Sequence, residues 1–168
     1  MKAIFPGSFD PFTVGHEAMV QRSLKLFDEI IVAVGHNSEK KYMFDIETRV
    51  SIIETVFKNS PEVKVIPYAG LTVDLCRSLN IYFLIRGLRT SSDFEFERAV
   101  GQINKQLEPR IETVFMLIAP EHSAVSSSIV RDILINNGDA SLFLPVNLDL
   151  KEIIGTNGGC LESNSARR

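Results

Sequence analysis

Gly7, Ser8 and His16 fall within one ten-residue stretch, GSFDPFTVGH, which follows the apolar run Ala3-Ile4-Phe5 and precedes a helical pattern. A glycine there lets the backbone turn sharply and approach a ligand closely. Ser8 offers a hydroxyl and a backbone N–H at a strand end. Gly15-His16 opens a helix, where free amides and the dipole favour an anion and an imidazole can donate to a phosphate oxygen. A second stretch, RGLRTSSDFEFE (residues 86–97), sets Arg86 and Arg89 around Gly87 at another strand end, a spacing suited to guanidinium forks on phosphate. In it Glu97 shares a helix face with Asp93 and is placed to accept from a ribose hydroxyl. A third, PEHSAVSSSIVRD (residues 120–132), supplies Ser126, Ser127 and Ser128 at a helix start, where a plain N-cap needs one hydroxyl. Phosphate binding is the chemistry these residues share.

Each feature also has a plainer reading. Asp10-Pro11 can be only a turn, His16 only a helix-start residue, and Glu97 an exposed helix carboxylate. Lys40 and Lys41 after the second strand read by default as solvated lysines. No Gly-Lys-Ser/Thr follows the first stretch, so it is not a Walker A loop, and it is not the dinucleotide motif G-x-G-x-x-G.

The elements that must position these residues alternate along the chain. Strand patterns occupy 2–5, 30–34, 63–67, 81–85 and 113–118. Helical patterns lie between and after them. Residues 16–27 carry a Met19, Val20, Leu24, Phe27 stripe, and 46–57 follow an Asp45 N-cap. A short helix is expected over 72–79, and another over 93–107 with a Ser92-x-x-Glu95 capping box and a Phe96, Val100, Ile103, Leu107 stripe. The last runs over 127–135 and stops at Asn136-Asn137-Gly138. This alternation predicts an α/β fold: a Rossmann-like, doubly wound, five-stranded parallel sheet of order 3-2-1-4-5. In that order strands 1 and 4 are neighbours where the winding reverses. The loops after strands 1, 4 and 5 then converge on one crevice, and those loops are the three stretches above.

With 168 residues, 45% hydrophobic and 23% charged, the chain has an ordinary globular composition. One domain over 1–154 is expected, followed by a Gly/Ser/Asn-rich segment, 155–168, without periodicity and expected to be disordered. A net charge of −3 gives no global attraction to nucleic acid, so any phosphate must be held by local groups. Cys76 and Cys160 have neither framework spacing nor a His/Cys cluster, and the N-terminus lacks an apolar leader pattern. The longest apolar runs are strand-sized, and no membrane span is expected. These features predict a cytoplasmic protein.

GSFDPFTVGH, LIRGLRTSSDFEFE and SAVSSSIVRDIL, in this order, resemble the nucleotidyltransferases of the H-x-G-H superfamily. Within it the chain is similar to the bacterial phosphopantetheine adenylyltransferase family from residue 2 to about residue 150, without large insertions. Thr13 stands where the wider superfamily usually has its first His, a variation shared with this branch. Ser8 replaces a usual Thr, Phe5 a frequent Tyr, and His122 a frequent Trp near the adenine.

The resemblance implies transfer of AMP from ATP to 4′-phosphopantetheine, giving dephospho-CoA and pyrophosphate. It implies His16, Ser8, Lys40 and Arg89 as catalytic residues. The ATP site would comprise Ser8, Phe9, His16, Gly87, Leu88, Arg89, Glu97 and the segment His122, Ser123, Ala124, Val125, Ser126, Ser127, Ser128. The acceptor would meet Ser8, Lys40, Thr72 and Arg86. Mg²⁺ is expected only as a companion of the ATP phosphates, with no protein metal site. CoA is expected as a feedback inhibitor and a homohexamer as the assembly. Two rivals stay open: the same chemistry on another acceptor, such as nicotinamide mononucleotide or glycerol phosphate, and a nucleotide-binding regulatory module without turnover.

Overall fold

The computed structural model describes residues 1–146 and residue 148. The expectations for the tail from residue 155, and for a domain boundary at 154, lie outside the described residues. Five strands, β1 (Lys2–Gly7), β2 (Glu29–His36), β3 (Val63–Ala69), β4 (Phe83–Leu88) and β5 (Glu112–Leu117), form one parallel sheet of order β3-β2-β1-β4-β5. The expected topology is the observed one. Five helices connect and follow the strands: α1 (Val14–Ser23), α2 (Ile46–Val56), α3 (Thr72–Leu79), α4 (Ser91–Leu107) and α5 (Ser127–Ile135).

Strand alternation divides the core in two. Ala3 and Phe5 of β1 join Met19, Val20, Ile52, Ile53 and Val130 in the cluster that seats α1, α2 and α5. Ile4, between them, joins Val73, Cys76, Leu84 and Ile111 beneath α3 on the other face. A central strand buried on both faces must read as a continuous apolar run, and Ala3-Ile4-Phe5 does. Each large apolar side chain among these, such as Ile4 or Phe5, contributes roughly 1.5–3 kcal/mol when taken out of water.

The structure moves several expected boundaries. Strand β4 ends at Leu88 rather than at 85, because its parallel partners on β5 continue through Arg86↔Phe115, Gly87↔Met116 and Leu88↔Leu117. Arg86 and Gly87 therefore lie within the strand, not after it. Helix α1 begins at Val14 with Thr13 as N-cap, so His16 is its third residue, and it ends at Ser23 where 16–27 had been expected. In α4 the cap is Thr90, whose hydroxyl accepts from the Asp93 N–H at 3.1 Å, and Asp93 replaces Glu95 as its partner. Three of the four residues of the expected apolar stripe of α4 also face outward. Phe96, Ile103 and Leu107 are 67%, 53% and 50% exposed, while the inward face carries Glu97, Val100, Gly101 and Asn104. On the inward face Glu97 pairs with a charged partner on the sheet, Arg86.

Candidate active site

At the carboxyl ends of β1 and β4, where the winding reverses, a cleft of about 330 Å³ opens. Its walls come from the first loop (Ser8, Phe9, His16), from β4 and the turn after it (Arg86, Gly87, Arg89), and from the start of α5 (Ser126, Ser127, Ser128). Lys40, Glu97 and Val125 also line it. The three stretches singled out by their chemistry thus meet in one place.

The first loop is folded back on itself. Phe9 has φ +48, in the left-handed region, and its buried ring closes over Gly7. A Cβ on Gly7 would come within 2.7 Å of the Phe9 ring, so only glycine fits there. This turn leaves Ser8 half-buried at the head of the cleft.

His16 is held from two sides. The Thr13 N–H donates to its Nδ1 at 3.1 Å, and the Thr13 hydroxyl lies 3.0 Å from the same atom. Its ring packs edge-on against Phe9, with centroids 5.1 Å apart, and lies tilted by 36° against Phe12 at 5.3 Å. With Nδ1 accepting a backbone N–H, the neutral ring must carry its proton on Nε2. Burial first, and the Arg89 guanidinium second, push the imidazole down to about 4 from its ordinary 6.5. His16 is therefore a neutral Nε2–H donor across the physiological range.

A base whose pKa is lower folded than unfolded stabilises the fold fully above pH 6.5, and that contribution is lost as pH falls from 6.5 toward about 4. Imidazole ¹⁵N–¹H correlation spectra should show His16 as the Nε2–H tautomer, unchanged through pH 6.5 and titrating near 4. A midpoint near 6.5 would contradict this geometry.

Arg86 carries the densest set of bonds in the cleft. Its Nε donates to Glu97 Oε2 at 2.7 Å, its Nη2 donates to Glu97 Oε1, and its Nη1 donates to the Pro6 carbonyl at 2.8 Å. Three of five guanidinium N–H groups are used, and one on each terminal nitrogen remains for a ligand. Glu97, expected to face a ribose, has both oxygens on Arg86. Arg89 is exposed and meets Asp93 at 3.3 Å. The three serines divide their duties. Ser126 caps α5 by accepting from the Ile129 N–H at 3.2 Å, and Ser127 donates to the Pro11 carbonyl at 2.9 Å. Ser128 accepts from Arg131 at 3.1 Å. Amides of the first turn of α5 remain at its open end, as at any helix N-terminus.

Other expected residues are placed differently. Leu88 is 8% exposed and is not among the cleft residues. His122, Ser123 and Ala124 do not line the cleft either; His122 sits beside the start of α1, where a Cβ on Gly15 would be 3.6 Å from its own. Thr72 lies in an adjoining cavity of about 140 Å³, bounded by Pro6, Arg86 and Glu97 on the cleft side and by Val100, Gly101, Asn104 and Thr113 beyond. Sequence reasoning missed Arg131 as a cleft cation and Asp10 as a buried carboxylate, 2% exposed, that accepts from the Met43 and Phe44 amides at 2.9 Å each. An Asp beside a proline, between two phenylalanines, was the available signal for the second.

The doubly wound parallel sheet carries a cationic cleft at its switch point, where such sheets bind nucleotides, and the model of the Cytidylyltransferase-like family matches residues 4–133. A phosphopantetheine adenylyltransferase of Flavobacterium psychrophilum is 53% identical over 150 residues, 89% of this chain and 99% of its own. That of Bacteroides fragilis is 44% identical over 149 residues, 89% of this chain and 99% of its own. The chain belongs to the phosphopantetheine adenylyltransferase family. The fold alone is shared with a Vibrio parahaemolyticus structure assigned as a nicotinate-nucleotide adenylyltransferase, at TM-score 0.68, 19% identity and coverage of 94% of this chain and 93% of that one.

Proposed function

We infer that this chain transfers AMP from ATP to 4′-phosphopantetheine, producing dephospho-CoA and pyrophosphate. The observation that carries this reading is the joining of two spaces at Arg86 in a member of this family. A cleft of about 330 Å³ holds the cations Lys40, Arg86, Arg89 and Arg131 beside the neutral His16, and a smaller cavity past Arg86 has the hydroxyl and amide groups of Thr72, Thr113 and Asn104 for a polar arm. In an acidic chain these local cations supply the field that a phosphomonoester and a triphosphate require.

The acceptor phosphate is already ionised and attacks the α-phosphorus of ATP in line. One P–O bond forms as the bond to the β-phosphate bridge breaks, and pyrophosphate leaves with the electron pair. No proton need be abstracted, so positioning and charge stabilisation suffice. His16 donates from Nε2–H to the α-phosphate as charge builds there. Ser8 bridges the nucleophilic phosphate and ATP, and Lys40 and the two remaining N–H groups of Arg86 hold the acceptor. Glu97 holds Arg86 in that pose. Arg89, Gly87, Phe9 and the Val125–Ser128 segment serve ATP, with Leu88 and the 122–124 turn behind them.

Among the described residues no group of three or more His, Cys, Asp or Glu is placed to hold a metal, and Glu97 is held by Arg86. The Mg²⁺ proposed for the reaction is one carried by the ATP phosphates. CoA, which shares the pantetheine arm, is proposed to compete for the same cleft. A homohexamer is proposed from the family resemblance; what supports a self-association surface is the exposed Phe96, Ile103, Leu107 stripe of α4. Among the described residues no helix is long and apolar enough to cross a membrane, and a cytoplasmic setting is proposed.

An acceptor panel tests the reading. Pyrophosphate release from ATP should require 4′-phosphopantetheine and stay at background with nicotinamide mononucleotide or glycerol phosphate. Release with another acceptor would reassign the substrate, and no release with any would favour a binding module.

A further inference from the structure

Lys40 reaches the cleft from the segment between β2 and α2, residues 37–44, which belongs to none of the three converging loops. What places this segment is a side chain outside the cleft. Arg49 of α2 is fully buried, at 0% exposure. Its Nη1 donates to the Ser8 carbonyl at 2.6 Å and to the Gly35 carbonyl at 3.0 Å. Its Nε donates to the carbonyls of Phe44 at 3.1 Å and Asp45 at 3.3 Å. One guanidinium thus touches the first loop, the end of β2 and the far end of the Lys40 segment.

The segment is tied to it a second way. The Tyr42 ring lies over the Arg49 guanidinium at 4.0 Å, the Tyr42 hydroxyl accepts from the Asn37 N–H at 3.0 Å, and Lys40 Nζ lies 5.7 Å from the same ring. Asp10, in the first loop, holds the Met43 and Phe44 amides from the opposite side. Burying a guanidinium is costly, and an apolar residue in its place is often no less stable. Nη2 of Arg49 is buried without a hydrogen-bond partner, so the site is not tuned for stability alone. By helical spacing Arg49 sits on the apolar face with Ile46, Ile53 and Phe57, where an aliphatic residue would pack.

We propose that Arg49 is a positioning residue for the acceptor phosphate: by bonding to Ser8, to Gly35 at the end of β2 and to Phe44 at the far end of the 37–44 segment, it sets the register between Ser8 and Lys40. It touches no reacting group itself. The proposal rests on the transfer reaction inferred above. A misplacement of about 1 Å between groups that align a reacting phosphate costs up to roughly a hundredfold in rate. Lysine keeps the charge but presents one point donor where the guanidinium reaches four carbonyls.

The test compares Arg49→Lys, Tyr42→Leu and Lys40→Ala, singly and in pairs with Lys40→Ala, in the full chain. Arg49→Lys should raise the acceptor KM by roughly tenfold or more, while the KM for ATP stays near its original value. Tyr42→Leu leaves the buried bonds in place and should shift the acceptor KM the same way by less, which keeps the proposal testable where Arg49→Lys folds poorly. In the Lys40→Ala background either change should add little, since the register it controls no longer ends in a cation. Hydrogen exchange should show segments 7–12 and 37–44 loosening together in Arg49→Lys. Additive effects with Lys40→Ala, equal losses for ATP and acceptor, or faster exchange confined to α2 would overturn the proposal. Absence of turnover in the unmodified protein would refute the transfer reading, and the exchange comparison would still decide whether Arg49 joins the two segments.

Discussion

His16→Ala is expected to lower kcat by roughly 10²–10³, the loss that follows removal of one preorganised transition-state donor. The KM for ATP should change little, because a neutral Nε2–H donor gains most from charge that appears only as the α-phosphorus is attacked. Two causes of damage must be separated. The substitution deletes the donor, and it also removes the Nδ1 acceptor of the Thr13 N–H, at a residue only 1% exposed. Losing that partner costs about 1–3 kcal/mol, so the melting temperature should fall without loss of the fold. Steady-state turnover read beside thermal unfolding tells them apart. A well-folded His16→Ala protein with unchanged kcat would remove His16 from the chemistry.

The second large effect concerns Arg86. Its guanidinium spans Glu97 and the Pro6 carbonyl while keeping two N–H groups for a ligand. Arg86→Ala deletes the phosphate fork and turns Glu97, whose carboxylate is held by that arginine, into a repulsive carboxylate beside the acceptor phosphate. Acceptor affinity should fall by roughly a hundredfold or more, in line with the 1.5–3 kcal/mol typical of a hydrogen bond to a charged group plus the new repulsion. Arg86→Lys should also be harmful, since a single ammonium cannot serve carboxylate, carbonyl and phosphate together. Adding Glu97→Gln to Arg86→Ala should restore part of the loss by removing the unpaired charge. Calorimetry with each substrate separately reads the outcome. Collapse of ATP binding with acceptor binding intact would reverse the assignment.

Much of this arrangement was legible in the residues, and the reasons are local. The apolar runs at 2–5 and 30–34 are central parallel strands buried on both faces, and such strands are hard to mistake. Asp45 caps α2 and Ser126 caps α5 at the positions their side chains suggest, since a cap depends on residues only a few places away. The face of α4 was not legible. Its apolar period is genuine, but Glu97 rather than Phe96 faces inward, onto Arg86 of the sheet eleven residues away in sequence, a partner that the helix's own period does not show. For the same reason Arg49 and Asp10 escaped notice. Their partners lie on other loops, at separations of 41 and 34 residues, and only topology brings them together.

The most direct test asks which phosphate of ATP stays with the acceptor. The full chain is incubated with 4′-phosphopantetheine and ATP labelled either at the α- or at the γ-phosphorus, and the products are separated. A cleft that aligns an ionised phosphate on the α-phosphorus predicts α-label in dephospho-CoA and γ-label in pyrophosphate, in equal amounts. Transfer of γ-label to the acceptor, or release of label as orthophosphate without a dephospho-CoA product, would contradict it.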